Sequence, residues 1–200
     1  MKSRLLAALC VAALPVLVNA KPVDLGRETR STPYEAYMGP VKKVLNQVDG
    51  RENDFDRVRE LLRIGRSFRY SFTEPYVAAT PQKTAASRRG DCKAKSLWLI
   101  DALNDTSARY VIGKTWRNSP INHAWVIWND GQRWWILDPT NKSRPIPADR
   151  VSPREYIPLY SYSTAGAHRH MDTLVHRADN REAVAAKQKN KSRWGNLFQH

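Results

Sequence analysis

The sequence predicts an α+β fold, with helices in the first half of the chain and antiparallel strands after them. Apolar side chains recur at helical spacing in residues 41–48, where they form one face of an amphipathic helix. A further, largely apolar helix is expected over residues 92–103. Two strand-like runs, 122–129 and 132–138, flank Asp130-Gly131, a pair typical of a two-residue β-hairpin turn. Helices followed by a hairpin are characteristic of the α+β class.

The other elements of the first half follow from the same periodicities. Residues 21–35 are polar and predict an extended lead-in. Residues 54–64 predict a second amphipathic helix, which Gly65 would end. Alternating aromatic and polar side chains favour a strand or extended segment over 67–73. Prolines and small residues predict a loop over 74–90.

In the second half, regular structure is expected to decrease after the hairpin. Residues 108–114 predict a strand that precedes the hairpin, and residues 155–163, which contain three tyrosines, are expected to pack back on the core. Residues 177–200 are polar and basic and predict a surface helix that continues into a disordered tail. Three histidines lie before this tail: His168, His170 and His176. They lack a carboxylate or cysteine partner in a zinc pattern, so we interpret them as part of a polar loop.

The first twenty residues are typical of a secretory signal peptide. Lys2 and Arg4 precede an apolar run that ends in Val18-Asn19-Ala20, a small-residue cleavage pattern. The run is short for a membrane span and contains a proline, so cleavage is favoured over a retained N-terminal anchor. The sequence therefore predicts a periplasmic or secreted protein with no membrane span after cleavage.

The chain length predicts one globular domain, because 200 residues are too few for two sizeable cores. We divide it into the signal peptide 1–20, an N-terminal helical part 21–65, a core 66–165 and a basic C-terminal tail 166–200. The formal charge is +14, and removal of residues 1–20 leaves 31 basic and 19 acidic side chains, a net charge of +12. This surplus favours acidic partners. No recognisable nucleic-acid-binding motif is present.

Cys92 is the one cysteine left after signal cleavage, because Cys10 lies within the signal peptide. A single cysteine in an exported protein indicates intermolecular pairing or a reactive thiol. Asp91 is a predicted N-cap, so Cys92 lies where the helix dipole and unpaired N–H groups favour a thiolate. Basic neighbours act in the same direction: Arg88, Arg89, Lys93 and Lys95. The alternative is a small buried hydrophobic residue, but position and charge favour a nucleophile.

A general base and its orienting carboxylate are expected on the hairpin. A two-residue turn at Asp130-Gly131 would place His123 directly opposite Asp138. Opposed residues have Cβ atoms about 4.5–5.5 Å apart, which lets a carboxylate hold an imidazole in one tautomer. A three-residue loop would shift this register, so the pairing depends on the turn. Cys92, His123 and Asp138 are thus candidates for nucleophile, base and orienter.

Two further residues are weaker candidates. The backbone N–H of Cys92 would hold an oxyanion, and Gln82 in the preceding segment is the sequence's suggestion for a second donor, the alternative being a solvated loop residue. Trp125 lies two residues after His123 on the same strand face, so it is placed to shield the imidazole or to line a substrate groove. Packing in the core is the alternative for most of the tryptophans.

Three segments resemble the core pattern of the transglutaminase-like superfamily: Gly90-Asp91-Cys92, His123-Ala124-Trp125 and Leu137-Asp138-Pro139-Thr140. They occur in the family's order, and the resemblance extends over about residues 66–142. It implies a papain-like α+β fold, in which the cysteine helix packs on an antiparallel sheet, and a Cys-His-Asp triad. Exported bacterial members of the family include cysteine peptidases, other members are transamidases, and some have lost activity.

The sequence therefore predicts an exported cysteine hydrolase, a peptidase or amidase that cleaves a protein or peptide through a thioester acyl-enzyme. Two alternatives remain: a transglutaminase that passes the acyl group to an amine, and a non-catalytic basic module for an anionic cell-envelope polymer. Acidic residues often follow the cysteine in bacterial peptidase members, whereas this chain has Lys93-Ala94-Lys95, which leaves acidic substrates and calcium dependence open. We expect no cofactor and no metal site, since no oxygen-rich calcium loop is visible.

Overall fold

The computed structural model describes residues 23–74 and 76–171, in which the helices precede every strand of the main sheet except its first, at residues 27–29. The α-helices within these residues are α1 Gly39–Leu45, α2 Phe55–Ser67, α3 Pro81–Ser87 and α4 Cys92–Leu103. Two short 3-10 turns, Glu35–Tyr37 and Ala148–Arg150, accompany them. None of the helices in this part of the chain is long and apolar enough to cross a membrane.

Most strands belong to one antiparallel sheet of seven strands. The strands are β1 Arg27–Thr29, β2 Arg69–Tyr70, β3 Arg89–Gly90, β4 Arg109–Trp116, β5 His123–Asn129, β6 Trp134–Leu137, β7 Ile146–Pro147, β8 Glu155–Ser163 and β9 Gly166–Arg169. The order across the large sheet is β1-β9-β8-β4-β5-β6-β7, so β4 is central. The short strands β2 and β3 form a separate parallel pair just before α4. Helices on an antiparallel sheet confirm the predicted α+β class.

The two faces of the sheet are packed differently. Alternate residues of β4 and β5 turn to the helices, where α1, α2 and α4 build the larger core with them. The hydroxyl of Ser96 in α4 donates to the carbonyl of Ala124 in β5 at 3.0 Å, which fixes the helix on the strand. The opposite face carries a smaller cluster that includes Trp125, Ile136 and Tyr156. The cysteine helix is therefore held directly over β5.

Helices are confirmed at all three predicted places, 41–48, 54–64 and 92–103, but α1 begins at Gly39 and ends at Leu45, before the predicted end at residue 48. Two other details of the first half also differ. Gly65 does not end α2, which runs on to Ser67. Instead it is a packing glycine, because a Cβ there would lie 3.0 Å from Trp98 and Pro139. The predicted loop 74–90 contains α3. Its N-cap Thr80 accepts a hydrogen bond from the Lys83 N–H, and Pro81 occupies the first turn, where a proline costs no hydrogen bond.

The hairpin between β5 and β6 has a longer turn than predicted. Asn129 pairs with Trp134 rather than with Gln132, so residues 130–133 form the turn. The Asp130 carboxylate accommodates the extra residues, since it accepts from the N–H groups of Gln132 and Arg133 at 2.9 and 2.7 Å. The predicted register is therefore wrong by two residues, and His123 is not directly opposite Asp138.

The segment after Pro139 contains more regular structure than predicted. Residues 155–163 form β8, which pairs with β4 near the middle of the sheet. β9 extends the sheet into the range predicted as a tail, 166–200. His168 and His170 are buried, 7% and 1% exposed, and are not part of a polar loop, because β9 packs against β8 and β1. His176, the basic segment 177–200 and the predicted signal peptide 1–20 lie outside the described residues.

Candidate active site

Cys92 is the first residue of α4, and a buried aspartate fixes its position. The Asp91 side chain is fully buried and accepts from the backbone N–H of Ala94 at 3.1 Å, which caps the helix. Its other carboxylate oxygen accepts from the Thr73 hydroxyl at 3.0 Å. Cys92 is partly exposed and is the free cysteine of the described residues. The cap therefore holds a solvent-accessible thiol at a helix N-terminus.

The two lysines after Cys92 do not extend into solvent as a basic surface. The Lys93 ammonium donates to Asp91 at 2.5 Å and lies over the rings of Phe72 and Tyr76, at 5.1 and 5.7 Å from their centroids. Lys95 is 1% exposed, and burial together with the nearby Arg66 charge lowers its pKa. The exposed basic residues of this segment are Arg88 and Arg89, which precede the cysteine in the chain, and the Arg88 guanidinium donates to the Ser67 hydroxyl at 3.0 Å.

His123 and Asp138 meet although they are not directly opposed. The Nε2 atom of His123 lies 3.0 Å from the Oδ2 atom of Asp138. Val126 pairs with Leu137 in the observed register, so the next position along the ladder places Asp138 opposite Trp125. His123 is two residues from Trp125 and is therefore the diagonal neighbour of Asp138 on the same face. A shift of two residues preserves the face, and diagonal neighbours remain within reach of long side chains.

Asp138 is fully buried and is surrounded by hydrogen-bond donors. Its Oδ2 accepts from the Tyr156 hydroxyl at 2.9 Å, and its Oδ1 accepts from the backbone N–H groups of Thr140 and Asn141 at 2.9 and 3.2 Å. Burial alone would raise the pKa of this carboxyl, but the hydrogen bond and charge of His123, with these donors, lower it. Asp138 is therefore held as a carboxylate.

The imidazole of His123 is held between Asp138 and Cys92. Burial alone would lower the pKa of His123, but hydrogen bonds to Asp138 and Cys92 outweigh burial and raise it to about 9. Because Nε2 faces Asp138, Nδ1 is the ring nitrogen left for Cys92. The three side chains thus form one connected array, with the thiol and the carboxylate on opposite sides of the ring.

Trp125 supports this array from inside the protein. It is 1% exposed, and its ring stacks on His123 at 6.3 Å between centroids and 20° between planes. It also meets Tyr156 edge-on at 5.4 Å. Its predicted role as a shield of the imidazole agrees with this position. Its predicted contact with substrate is not supported, because the ring is buried in the smaller core cluster and offers no exposed surface.

The neighbourhood of Cys92 differs in detail from the prediction. Gln82 lies on the exposed side of α3. Tyr70 pairs with Gly90 in the short parallel ladder, and partial burial with the charges of Cys92 and Asp91 raises the pKa of its phenol. Sequence reasoning missed Tyr70 and Tyr156 as residues of the site. The pairing of β2 with β3 and the return of β8 place them there, and neither has a local sequence signature.

A metal site is not visible near this array. Within residues 23–74 and 76–171, no three or more His, Cys, Asp or Glu side chains are grouped so that they could hold an ion. At Asp91, the position of a counter-cation is taken by the Lys93 ammonium. The Asp91 carboxylate is therefore paired with a side chain of the protein itself.

Comparison with known proteins gives a family match over the same segment. Residues 42–139 match the transglutaminase-like superfamily. LapG from Legionella pneumophila superposes with a TM-score of 0.49 at 12% identity over 75% of this chain and 86% of LapG, and calcium-bound LapG with 0.48 at 14% over 68% and 77%. A Cytophaga hutchinsonii protein described as a candidate cysteine protease gives 0.37 at 24% over 52% and 39%. No curated protein sequence matches significantly.

Proposed function

The chain belongs, through residues 42–139, to the transglutaminase-like superfamily, and we propose that it is a cysteine hydrolase that cleaves an amide bond in a protein or peptide. One observation carries the proposal. His123 is hydrogen-bonded both to Asp138, at 3.0 Å, and to Cys92, and these bonds raise its pKa to about 9. An imidazolium stabilised in this way beside a thiol at a helix N-terminus is the arrangement that thiol acyl transfer needs.

The proposed reaction has two halves. The Cys92 sulfur attacks the amide carbon, and the His123 imidazolium gives its proton to the leaving nitrogen as the C–N bond breaks. This step leaves a thioester on Cys92 and a neutral imidazole. His123 then takes a proton from water, and the water oxygen attacks the thioester carbon. The C–S bond breaks, which releases the carboxylic acid and leaves the Cys92 thiolate beside the imidazolium, ready for the next turnover. Asp138 keeps the ring oriented through both halves.

The tetrahedral oxyanion needs donors beside Cys92. The Cys92 backbone N–H at the start of α4 supplies one, because the first N–H groups of a helix have no intrahelical partner. We propose Gln82 for the second, in which case Gln82→Ala lowers kcat by about tenfold or more with little change in KM. Tyr70→Phe is the matched comparison, since Tyr70 pairs with Gly90, two residues before Cys92. A loss of kcat in Tyr70→Phe alone would move this role to Tyr70.

The proposed function is tested with Cys92→Ala. We expect this variant to lose turnover of a denatured-protein substrate completely while it keeps the wild-type circular dichroism and unfolding midpoint. The matched control is Ser87→Ala, an exposed residue of α3. Turnover that survives in Cys92→Ala would rule out the proposed chemistry.

The acceptor of the acyl group is a separate question. A transglutaminase would use the same acyl-enzyme and pass it to an amine instead of water. Incubation of the wild type with a glutamine-containing protein and a labelled primary amine separates the two: free carboxylate without label supports hydrolysis, and incorporated label supports transamidation. Rapid alkylation of Cys92 at about pH 6, lost in His123→Ala, would argue against the alternative of a non-catalytic basic module.

We propose a periplasmic or secreted location on the basis of residues 1–20. Their basic start, apolar run and Val18-Asn19-Ala20 ending are typical of a cleaved signal peptide. N-terminal sequencing of the protein from fractionated cells should then give Lys21 as the first residue in the exported fraction. Recovery of the intact Met1 terminus with the membrane fraction would support a retained anchor instead.

A further inference from the structure

Three aromatic side chains form an exposed cluster beside the cysteine helix. This aromatic patch consists of Tyr37, Phe72 and Tyr76. The ring of Tyr76 meets those of Tyr37 and Phe72 at 6.1 and 6.4 Å between centroids, in edge-on geometry. Phe72 and Tyr76 are nevertheless 54% and 58% exposed. The three rings thus hold one another in place, while Phe72 and Tyr76 each expose more than half of their surface to solvent.

Contacts place the aromatic patch next to both reacting side chains. On one side, the Lys93 ammonium lies over Phe72 and Tyr76, and Lys93 directly follows Cys92. On the other side, the Asn122 amide donates to the Tyr34 hydroxyl at 2.8 Å. This bond joins the turn that contains Tyr37 to the residue before His123. These contacts join the patch to the residue after Cys92 and, through Tyr34, to the residue before His123.

The chemistry of the patch is apolar although the surrounding surface is basic. Lys93 does not offer its charge to a ligand, because its ammonium already donates to the buried Asp91. The Arg88 guanidinium is engaged as well, since it donates to the Ser67 hydroxyl at 3.0 Å and lies over the Phe68 ring. Exposed rings in preformed edge-on contact bind a further aromatic or apolar side chain with little loss of conformational freedom.

We propose that the aromatic patch is a specificity site that binds an aromatic side chain of the peptide whose amide carbonyl is delivered to Cys92. The inference rests on the proposed function, because it takes the occupant to be the acyl donor of that reaction. From the sequence, the lysines after Cys92 left acidic substrates open. The observed positions of Lys93 and Lys95 shift the preference from charge to aromatic character.

The test separates binding from catalysis by using Cys92→Ala in the full chain. The peptides are fluorescently labelled and carry a fixed glutamine or alanine as the acyl donor. Around it, one residue at a time is either phenylalanine or alanine, and binding is measured by anisotropy. We expect phenylalanine at one position to bind about tenfold more tightly than alanine. Adding Phe72→Ala or Tyr76→Ala should remove this advantage. Met171→Ala, which removes an equally exposed side chain at the far side of the sheet, should keep it.

The outcomes distinguish failure of the proposed binding site from failure of the proposed hydrolase function. Equal binding of both peptides, absence of binding, or an advantage that survives Phe72→Ala and Tyr76→Ala would overturn the inference. If the advantage depends on the patch but the wild type cleaves none of the peptides, the inference stands as a binding site and the proposed function fails. If the wild type cleaves them, Phe72→Ala should raise KM for the aromatic peptide about tenfold and leave kcat unchanged.

Discussion

Tyr156 and His123 bind the same carboxylate oxygen of Asp138 from two different strands. The Tyr156 hydroxyl lies 2.9 Å and the His123 Nε2 atom 3.0 Å from Oδ2. Tyr156 is near the start of β8 with a φ of 46°, in the left-handed region that a bulky residue rarely adopts. The backbone therefore accepts a strained conformation where this phenol reaches Asp138, which is typical of a residue that serves a site.

Removal of that phenol should weaken catalysis without unfolding the protein. In Tyr156→Phe, Asp138 loses a donor that helps hold it in line with His123, so the imidazole is less well oriented. We expect kcat to fall about tenfold with KM unchanged, measured on any peptide that the wild type cleaves.

The matched control is Tyr162→Phe. Tyr162 is also buried in β8, but its hydroxyl bonds to Thr32 rather than to Asp138. Both variants should lose about 1 kcal/mol of unfolding free energy, because each loses one buried hydrogen bond. An equal fall of kcat in both variants would show that Tyr156 acts only through stability.

The raised pKa of His123 predicts a stability contribution that disappears at high pH. Its folded value of about 9 exceeds the ordinary value of 6.5, so the contribution is complete below about pH 6.5 and is lost as the pH rises through about 9. The expected size is up to about 3 kcal/mol. Urea unfolding of wild type and His123→Gln should therefore differ most near pH 6 and least near pH 10.

His168→Gln provides a control of opposite sign. Burial, with the Arg109 charge, lowers the pKa of His168, so the wild type gains stability relative to this variant as the pH rises through the ordinary histidine range. A difference between wild type and His123→Gln that is constant from pH 6 to pH 10 would contradict the raised pKa of His123.

The residues of the candidate site are predicted more accurately from the sequence than the turn and strand register that bring them together. Cys92, His123 and Asp138 were identified from a capped helix, a strand and a hairpin, and the structure brings these side chains together. The turn was nevertheless two residues too short in the prediction. The Asp130 carboxylate bonds to two backbone N–H groups in the longer turn, an alternative that the Asp-Gly pair does not reveal. The array survived the error because a shift of two residues keeps the same face.

The residues that sequence reasoning missed are placed by long-range contacts. Tyr156 reaches Asp138 only because β8 returns to the centre of the sheet beside β4. Lys95 was predicted only as one of the basic neighbours of Cys92, whereas the packing of α4 buries it. Neither the contact of Tyr156 with Asp138 nor the burial of Lys95 can be predicted from local periodicity, because both depend on which helices and strands pack together.

Lys95 offers a test of how a buried cation is tolerated. Its pKa is lowered, chiefly by burial, so the charge is unfavourable in the folded state at neutral pH and this cost disappears as the pH rises. Lys95→Met keeps most of the volume and removes the charge. We expect its unfolding free energy at pH 7 to be equal to the wild-type value or higher by about 1 kcal/mol. Lys93→Met, which loses the bond to Asp91, should instead lose about 1 kcal/mol.

Gly113 is the position at which the support of His123 is most sensitive to a single added carbon. A Cβ on Gly113 would lie 2.2 Å from the Ile157 carbonyl oxygen and 2.6 Å from the Trp125 ring. The backbone of β8 cannot retreat without breaking its pairing with β4, so Trp125 must move away from His123. We expect Gly113→Ala to lose about 3 kcal/mol or more of unfolding free energy, measured by urea denaturation, and to lower activity in the fraction that stays folded.

Gly39→Ala is the control, because nothing lies within 4 Å of its Cβ and alanine favours the helix there. Wild-type stability in Gly113→Ala would mean that β8 and Trp125 are less tightly packed than the structure shows.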